Sequence, residues 1–348
     1  MKFPTLLSLI IPTHNSENTS KNLLNSLQKS NFKNFRQIEV IIVDDYSNDN
    51  TLKELKKIKS ELKFKTSIFS VKKHIGPAKA RNIGAQKAKG KFLLFLDSDV
   101  ELQPSALKYA FQEAKRAKFL AFTGIWDWHQ KTRAFFPQFK ALRDWSYWFV
   151  ERERGARYYL FSTRVAGIEK KLFKKLGGFS EKYKDPTVED IELTYRIEEQ
   201  NNRIRFCPKI IVNHEFEGFF AVAIKYFKRS RDWIQLFPKR QKFDPVATSK
   251  REALKPVFLG LFFIGLGSYL FRQNLLFLIV SVVFFLFFIA VELKFLIFLA
   301  KKKGWLFVIQ SIPIVIVLYI IIGLGSAYGL LLYAVDSLNQ GKKWRLKK

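Results

Sequence analysis

The apolar positions of the first hundred residues fall in short blocks separated by amphipathic stretches. LLSLIIP (Leu6–Pro12), IEVIIVDD (Ile38–Asp45), SIFSV (Ser67–Val71) and FLLFL (Phe92–Leu96) are runs too short for ordinary helices. They predict strands of a sheet covered on both faces, where alternation is not required. Between them, Leu23, Leu24 and Leu27 share one face of a helix around Ser20–Lys29, and Leu52, Leu55, Ile58 and Leu62 recur at helical spacing from Thr51. In GPAKARNIGAQKAKG, Pro77 suits a first helical turn and Gly90 a stop. Strands alternating with helices imply right-handed crossovers and a mainly parallel sheet. Such sheets bind ligands beyond the carboxyl ends of their strands. Those ends carry Pro12-Thr13-His14-Asn15, Asp44-Asp45 and Asp97-Ser98-Asp99, so three polar clusters converge on one edge.

Further along, residues 124–164 mix Trp and Tyr with Arg and Lys. That mixture suits either a surface at a membrane interface or the aromatic wall of a cleft. VEDIELTYRIEEQ predicts a helix, IRFCPKIIVNHEF a strand pair or extended run, and Pro238–Lys255 a basic linker. After Lys255 the pattern becomes continuously apolar. VFLGLFFIGLGSYLF and LLFLIVSVVFFLFFIAV, joined at Arg272-Gln273-Asn274, read as two membrane segments, the first short enough to need tilt or a thinned bilayer. A third apolar stretch, from Trp305, is interrupted by Pro313. The cluster Lys301–Lys303 should face the cytoplasm. Three simple spans then carry the tail GKKWRLKK outside, so either the third stretch is partly re-entrant or the tail departs from the positive-inside tendency. The expected organisation is a globular α/β domain over residues 1–237, a linker over 238–255, a membrane region of two to three segments over 256–335, and a basic tail over 336–348.

Charge narrows the partners. Sixty Lys and Arg against 30 Asp and Glu give a formal net charge of +30, which suits nucleotides, nucleic acid or an anionic membrane face. No zinc-finger spacing or RNA-binding signature accompanies the charge, which argues against nucleic acid. Cys207 is the single cysteine, so an intrachain disulfide is excluded and a reducing compartment fits. The first apolar run is too short for a signal peptide, and the N-terminal part is expected in the cytoplasm.

The pair Asp97 and Asp99 needs its own explanation. A helix cap uses one such residue close to its helix, and Asp97 lies seven residues before Pro104. Two carboxylates at a strand end in a basic protein call for a cation. Hard oxygen ligands in low number suit Mg²⁺ or Mn²⁺ shared with a substrate diphosphate, whose departure the metal would assist as a Lewis acid.

The ordered blocks SLIIPTHN, EVIIVDDYSNDNT, GPAKARNIGAQKAKGKFLLFLDSDVELQP, KKLGGF and VEDIELTYR resemble the family 2 glycosyltransferases of the GT-A (nucleotide-diphospho-sugar transferase) fold, over roughly Leu7–Trp233. The hydrophobic C-terminal region resembles that of members anchored in the cell membrane, with the catalytic domain cytoplasmic. By that resemblance, the backbone near Pro12 and Thr13, with Asp45, holds the nucleotide, while Asp44 orders the turn. Arg81 and Asp97 also meet the nucleotide sugar. Asp99, with Asp97 and His214, binds the metal, Asp190 is the base, and Glu189 contacts the acceptor or faces solvent. The resemblance implies an inverting, metal-dependent transfer from a nucleotide-diphosphate sugar to a lipid, lipid-linked or polysaccharide acceptor. Where relatives that polymerise polysaccharide carry Gln-x-x-Arg-Trp, this chain has Arg231-Asp232-Trp233, which argues against processive polymerisation. Two alternatives stand beside this reading. A sugar-phosphate nucleotidyltransferase needs a Gly-rich loop after the first strand, and residues 12–15 contain no glycine. A membrane scaffold or transporter component with a degenerate domain is disfavoured by an Asp at every expected acidic position.

Overall fold

The computed structural model describes residues 4–152 and 159–345, with the side chains of residues 239 and 339–345 left undescribed. Residues 153–158 of the aromatic stretch and the end of the basic tail thus lie outside the described residues. The chain forms two compact units, Met1–Arg133 with Ala156–Phe216, and Ala134–Gly155 with Glu217–Lys348.

The first unit contains the four predicted strands, β1 (Leu7–Thr13), β2 (Ile38–Asp44), β3 (Lys65–Ser70) and β4 (Phe92–Leu96), alternating with helices α1 (Glu17–Gln28), α2 (Thr51–Lys59) and α3 (Pro77–Lys87). All residues of β1, β2 and β4 are buried, as their unbroken apolar character requires. Then come β5 (Val100–Leu102), α4 (Ala106–Arg116), β6 (Ala121–Trp126), β7 (Val165–Glu169), α6 (Lys170–Lys175), α7 (Glu189–Glu199) and β8 (Ile204–His214). IRFCPKIIVNH is therefore one long strand rather than a pair.

The sheet order is β3-β2-β1-β4-β7-β6-β8-β5. Strands β1 to β4 are mutually parallel, β7 is antiparallel to both neighbours, β6 and β8 are parallel, and β5 returns antiparallel to β8. Only Asp97-Ser98-Asp99 separates β4 from β5, which stand four strand positions apart. A flat sheet would need about 19 Å between them at the usual strand spacing, yet the link from Leu96 to Val100 reaches at most roughly 14 Å. The sheet must therefore curl, and the Asp-Ser-Asp link closes the curl.

The second unit contains α5 (Phe135–Phe149), α8 (Phe219–Arg240), α9 (Lys250–Arg272), α10 (Leu275–Lys303) and α11 (Trp305–Arg345). Three of these helices are long and apolar enough to cross a membrane: Lys250–Arg272, Leu275–Lys303 and Trp305–Leu338. Their faces expose large apolar side chains such as Phe271, Leu286 and Leu331. Two expectations change here. The first segment is not short, because α9 begins at Lys250, inside the expected linker. Ser249 caps it, its hydroxyl accepting from the Glu252 amide at 3.3 Å, the start of an S-x-x-E capping pattern. The third stretch is not broken, since α11 runs through Pro313. The expected boundary at residue 237 also departs from the division of units, because α5 and α8 group with the long apolar helices.

A buried ionic cluster explains the grouping of α5. Arg143 donates to Glu151 at 3.1 Å, Glu292 at 3.1 Å, Glu252 at 3.1 Å and the Tyr147 hydroxyl at 2.9 Å. Lys255, fully buried, meets Glu292 at 2.8 Å and also Glu151 and Glu252. The aromatic residues of α5 pack on apolar partners, with Trp145 stacked on Phe298 at 5.6 Å. The 124–164 stretch thus divides, its middle joining the apolar helices and its ends belonging to the first unit. Close approach of α8 to α11 depends on small residues, because a Cβ on Gly329 would lie 2.3 Å from the Arg231 carbonyl oxygen.

Candidate active site

Strand direction gathers the polar residues. The carboxyl ends of β1, β2, β4, β6 and β8 and the amino ends of β5 and β7 share one edge of the sheet. That edge receives Thr13, Asp44, Asp45, Asp97, Asp99, Arg164 and His214 from five separate places in the chain.

Pro12 and Thr13 are buried at the end of β1. The Thr13 carbonyl accepts from the Asp45 amide at 2.7 Å. Asp44 accepts from the Ser47 hydroxyl at 2.5 Å and the Ser70 hydroxyl at 3.3 Å, bonds that order the turn after β2. Asp45 accepts from the amides of Ile75 at 2.7 Å and Gly76 at 2.8 Å, so in this structure it anchors the loop entering α3. Gly76 has φ of +85°, and a Cβ there would sit 2.4 Å from the Lys184 carbonyl oxygen. His74 Nδ1 lies 3.1 Å from the Asp45 carboxylate, and the rings of His14 and His74 are 4.5 Å apart. Sequence reasoning passed over His74, which has no local pattern to mark it.

Asp99 directly precedes β5, and the register Val100↔His214 brings it beside the last residue of β8. Asp99 Oδ2 and His214 Nε2 are 3.3 Å apart. Desolvation works against the charged carboxylate, but the hydrogen bond and charge of His214, with the charge of Arg164, outweigh it and hold Asp99 at about 2. The Nδ1 of His214 is buried with no hydrogen-bond partner among the described residues.

Asp97 takes a different partner. It accepts from Arg81 at 2.6 Å, and the same guanidinium donates to Glu189 at 3.0 Å. Burial opposes the Arg81 charge, but Asp97 and Glu189 more than compensate and raise its pKa above the ordinary value. Arg81 is 3% exposed and Glu189 also 3%. One expectation is corrected on that ground. Glu189 does not face solvent, because it is the buried counter-ion of Arg81. The terminal nitrogens of Arg81 hold two carboxylates, which makes it a brace between α3, the β4 end and α7. The brace leads to Asp190, the second residue of α7, whose charge also acts on Arg81. Asp190 is half-buried and accepts from the Ile191 amide at 2.8 Å.

Among the described residues, no three His, Cys, Asp or Glu side chains gather closely enough to form a metal site by themselves. Asp99 and His214 meet, while Asp97 is turned to Arg81. The donor set of one carboxylate oxygen and the His214 Nε2 beside it fits a divalent ion that takes its remaining ligands from substrate.

Residues 8–177 match the family model described as Glycosyl transferase family 2. The chain carries a family 2 glycosyltransferase domain. Over 110 residues it is 42% identical to the poly(ribitol-phosphate) beta-N-acetylglucosaminyltransferase TarS of Staphylococcus aureus, covering 32% of this chain and 18% of that protein. Over 116 residues it is 37% identical to the TarP enzyme of the same name and species, covering 31% of this chain and 33% of that protein. The chain thus spans well under two thirds of the length of these relatives. A solved mannosyltransferase of Pyrobaculum calidifontis, in complex with GDP-Man and Mn²⁺, superposes with a TM-score of 0.53 at 16% identity, covering 97% of this chain and 88% of that one. That likeness supports the GT-A fold of this glycosyltransferase domain.

Proposed function

We propose that the protein is an inverting, metal-dependent glycosyltransferase that moves a sugar from a nucleotide-diphosphate donor to a lipid, lipid-linked or polysaccharide acceptor at the cytoplasmic face of the cell membrane. One observation carries the reading: the carboxylate–imidazole pair Asp99–His214 and the carboxylate Asp190 stand at one sheet edge, linked through Asp97, Arg81 and Glu189. Asp99 and His214 would hold the metal, and an imidazole in the set moves the preference from Mg²⁺ toward Mn²⁺. When bound, the ion supplies Lewis-acid stabilisation of the departing diphosphate.

The protein's own groups supply the rest. The bond between the anomeric carbon and the diphosphate oxygen breaks, its electron pair leaving with the nucleotide, through an oxocarbenium-like state. The acceptor oxygen attacks the opposite face and loses its proton to Asp190, which inverts the anomeric centre. Placement in the first turn of α7 favours the ionised form a base requires. Arg81, by fixing Asp97 and Glu189 together, keeps the β4 end and the α7 start in register.

A panel of nucleotide sugars tests the reading directly. At least one donor should be hydrolysed slowly by the purified full chain with Mn²⁺, and EDTA should stop the reaction. No hydrolysis and no binding of any donor would sink it.

A further inference from the structure

The register of β7 places one cation at the active edge that none of the assigned roles uses. Leu96 pairs with Val165, so Arg164, one residue earlier, emerges beside the Asp97-Ser98-Asp99 link. Its guanidinium carbon lies 4.6 Å from the ring centre of Trp126, the last residue of β6, and 5.3 Å from that of Phe216, just beyond β8. Phe216 in turn packs edge-on against His214, with ring centres 4.6 Å apart. Arg164 is therefore held by aromatic faces from two strand ends, next to the Asp99–His214 pair.

We propose that Arg164 is a phosphate clamp that contacts the diphosphate of the nucleotide-sugar donor, an inference that rests on the donor reading above. Three arguments support it. Stacking occupies the faces of a guanidinium, while its N–H donors lie in the plane, at the edge, where they match phosphate oxygens in pairs. The aromatic rings restrict the side chain before ligand arrives, which lowers the ordering cost of binding. Asp99 lies within electrostatic reach of Arg164, so Arg164 and a divalent ion held at Asp99 would both offer positive charge to one diphosphate, the arrangement that stabilises a leaving phosphate group. A purely structural cation–π contact has no need of a position beside the metal-binding carboxylate.

The test is titration calorimetry on the full chain in detergent, with UDP, GDP, ADP, CDP and dTDP, the matching monophosphates and inorganic diphosphate, each with Mn²⁺ and with EDTA. Arg164→Gln should weaken whichever nucleoside diphosphate the unaltered protein binds by about ten- to a hundredfold, the range for a lost charge-assisted hydrogen bond. It should leave the matching monophosphate and the melting temperature unchanged, and part of the loss should persist in EDTA. Arg164→Lys should recover part of the affinity. Equal weakening of mono- and diphosphate, or an effect that vanishes in EDTA, would make Arg164 a support for the fold or for Asp99 and overturn the proposal. Unchanged diphosphate affinity with slower transfer would move Arg164 to the acceptor side and overturn it likewise. If the unaltered protein binds none of UDP, GDP, ADP, CDP and dTDP, the donor reading fails and the clamp with it.

Discussion

Asp190 and Glu189 are adjacent in sequence but opposite in circumstance. Glu189 is buried against Arg81, whereas Asp190 is half-buried at the start of α7. Asp190→Asn should therefore abolish transfer to a hydroxyl acceptor while donor affinity stays nearly intact. Loss of a positioned base typically costs on the order of 10² to 10⁴ in rate. A merely capping role predicts instead a loss of about 1 kcal/mol in stability and full turnover, so melting temperature, donor affinity and turnover measured together separate the two. Asp99→Asn should behave in the opposite way. Its amide cannot replace a charged oxygen ligand, so metal-dependent donor binding should weaken strongly. Equal donor affinity for this variant and the unaltered protein, with and without chelator, would remove Asp99 from the metal site. The burial of Glu189 was not legible in the sequence because nothing local tells a buried counter-ion from an exposed contact. Its partner, Arg81, is 108 residues away.

Among the elements, α5 and α9 depend on each other through charges that water does not reach. Arg143, Lys255, Glu252 and Glu292 are buried, the side chain of Glu151 is 4% exposed, and Tyr147 and Tyr319 complete the network. Removing one partner from such a network leaves an uncompensated charge and typically costs about 3 to 5 kcal/mol. Arg143→Met should accordingly lower the melting temperature sharply in detergent, and the double variant Arg143→Met with Glu292→Gln should lose less than the two single losses added. Additive losses would mean that the pair is not coupled. Helix α5 looked from its composition like interface or cleft wall, because composition reports what a segment carries and not which face it buries. The capping residues Ser249 and Glu252, by contrast, were readable signs that a helix starts at Lys250.

For the whole molecule, the consequential question is on which side of a bilayer the ends of the long apolar helices lie if they cross it. With α9, α10 and α11 each long enough to span, and Lys301–Lys303 kept in the cytoplasm, Asn274 should be accessible from outside and Lys302 from inside. Cysteines placed at these positions can be labelled in intact cells. The native Cys207 is buried and its thiol is pushed up to about 12 by desolvation, so replacing it with Ser removes a weak background at small cost. Labelling of the Lys302 position from outside would overturn the arrangement. Within the same arrangement, the unbroken course of α11 predicts that Leu338 lies on the side opposite Lys302, because a helix without a break gives the chain no place to turn back.

The sequence by itself determined the parallel half of the sheet, the carboxylates at its strand ends, the family likeness and the apolar helices. Each of these rests on local periodicity or on residues a few positions apart, such as Phe92–Leu96 running into Asp97 and Asp99. Only the tertiary structure decided what those carboxylates touch. The curl closed by Asp97-Ser98-Asp99, the meeting of Asp99 with His214, the brace of Arg81 between Asp97 and Glu189, and the seating of Arg164 on Trp126 and Phe216 all join residues from separate strands and helices. Such contacts are set by strand order and register. An antiparallel β7 beside β4, on which the position of Arg164 depends, leaves no periodic trace in the chain.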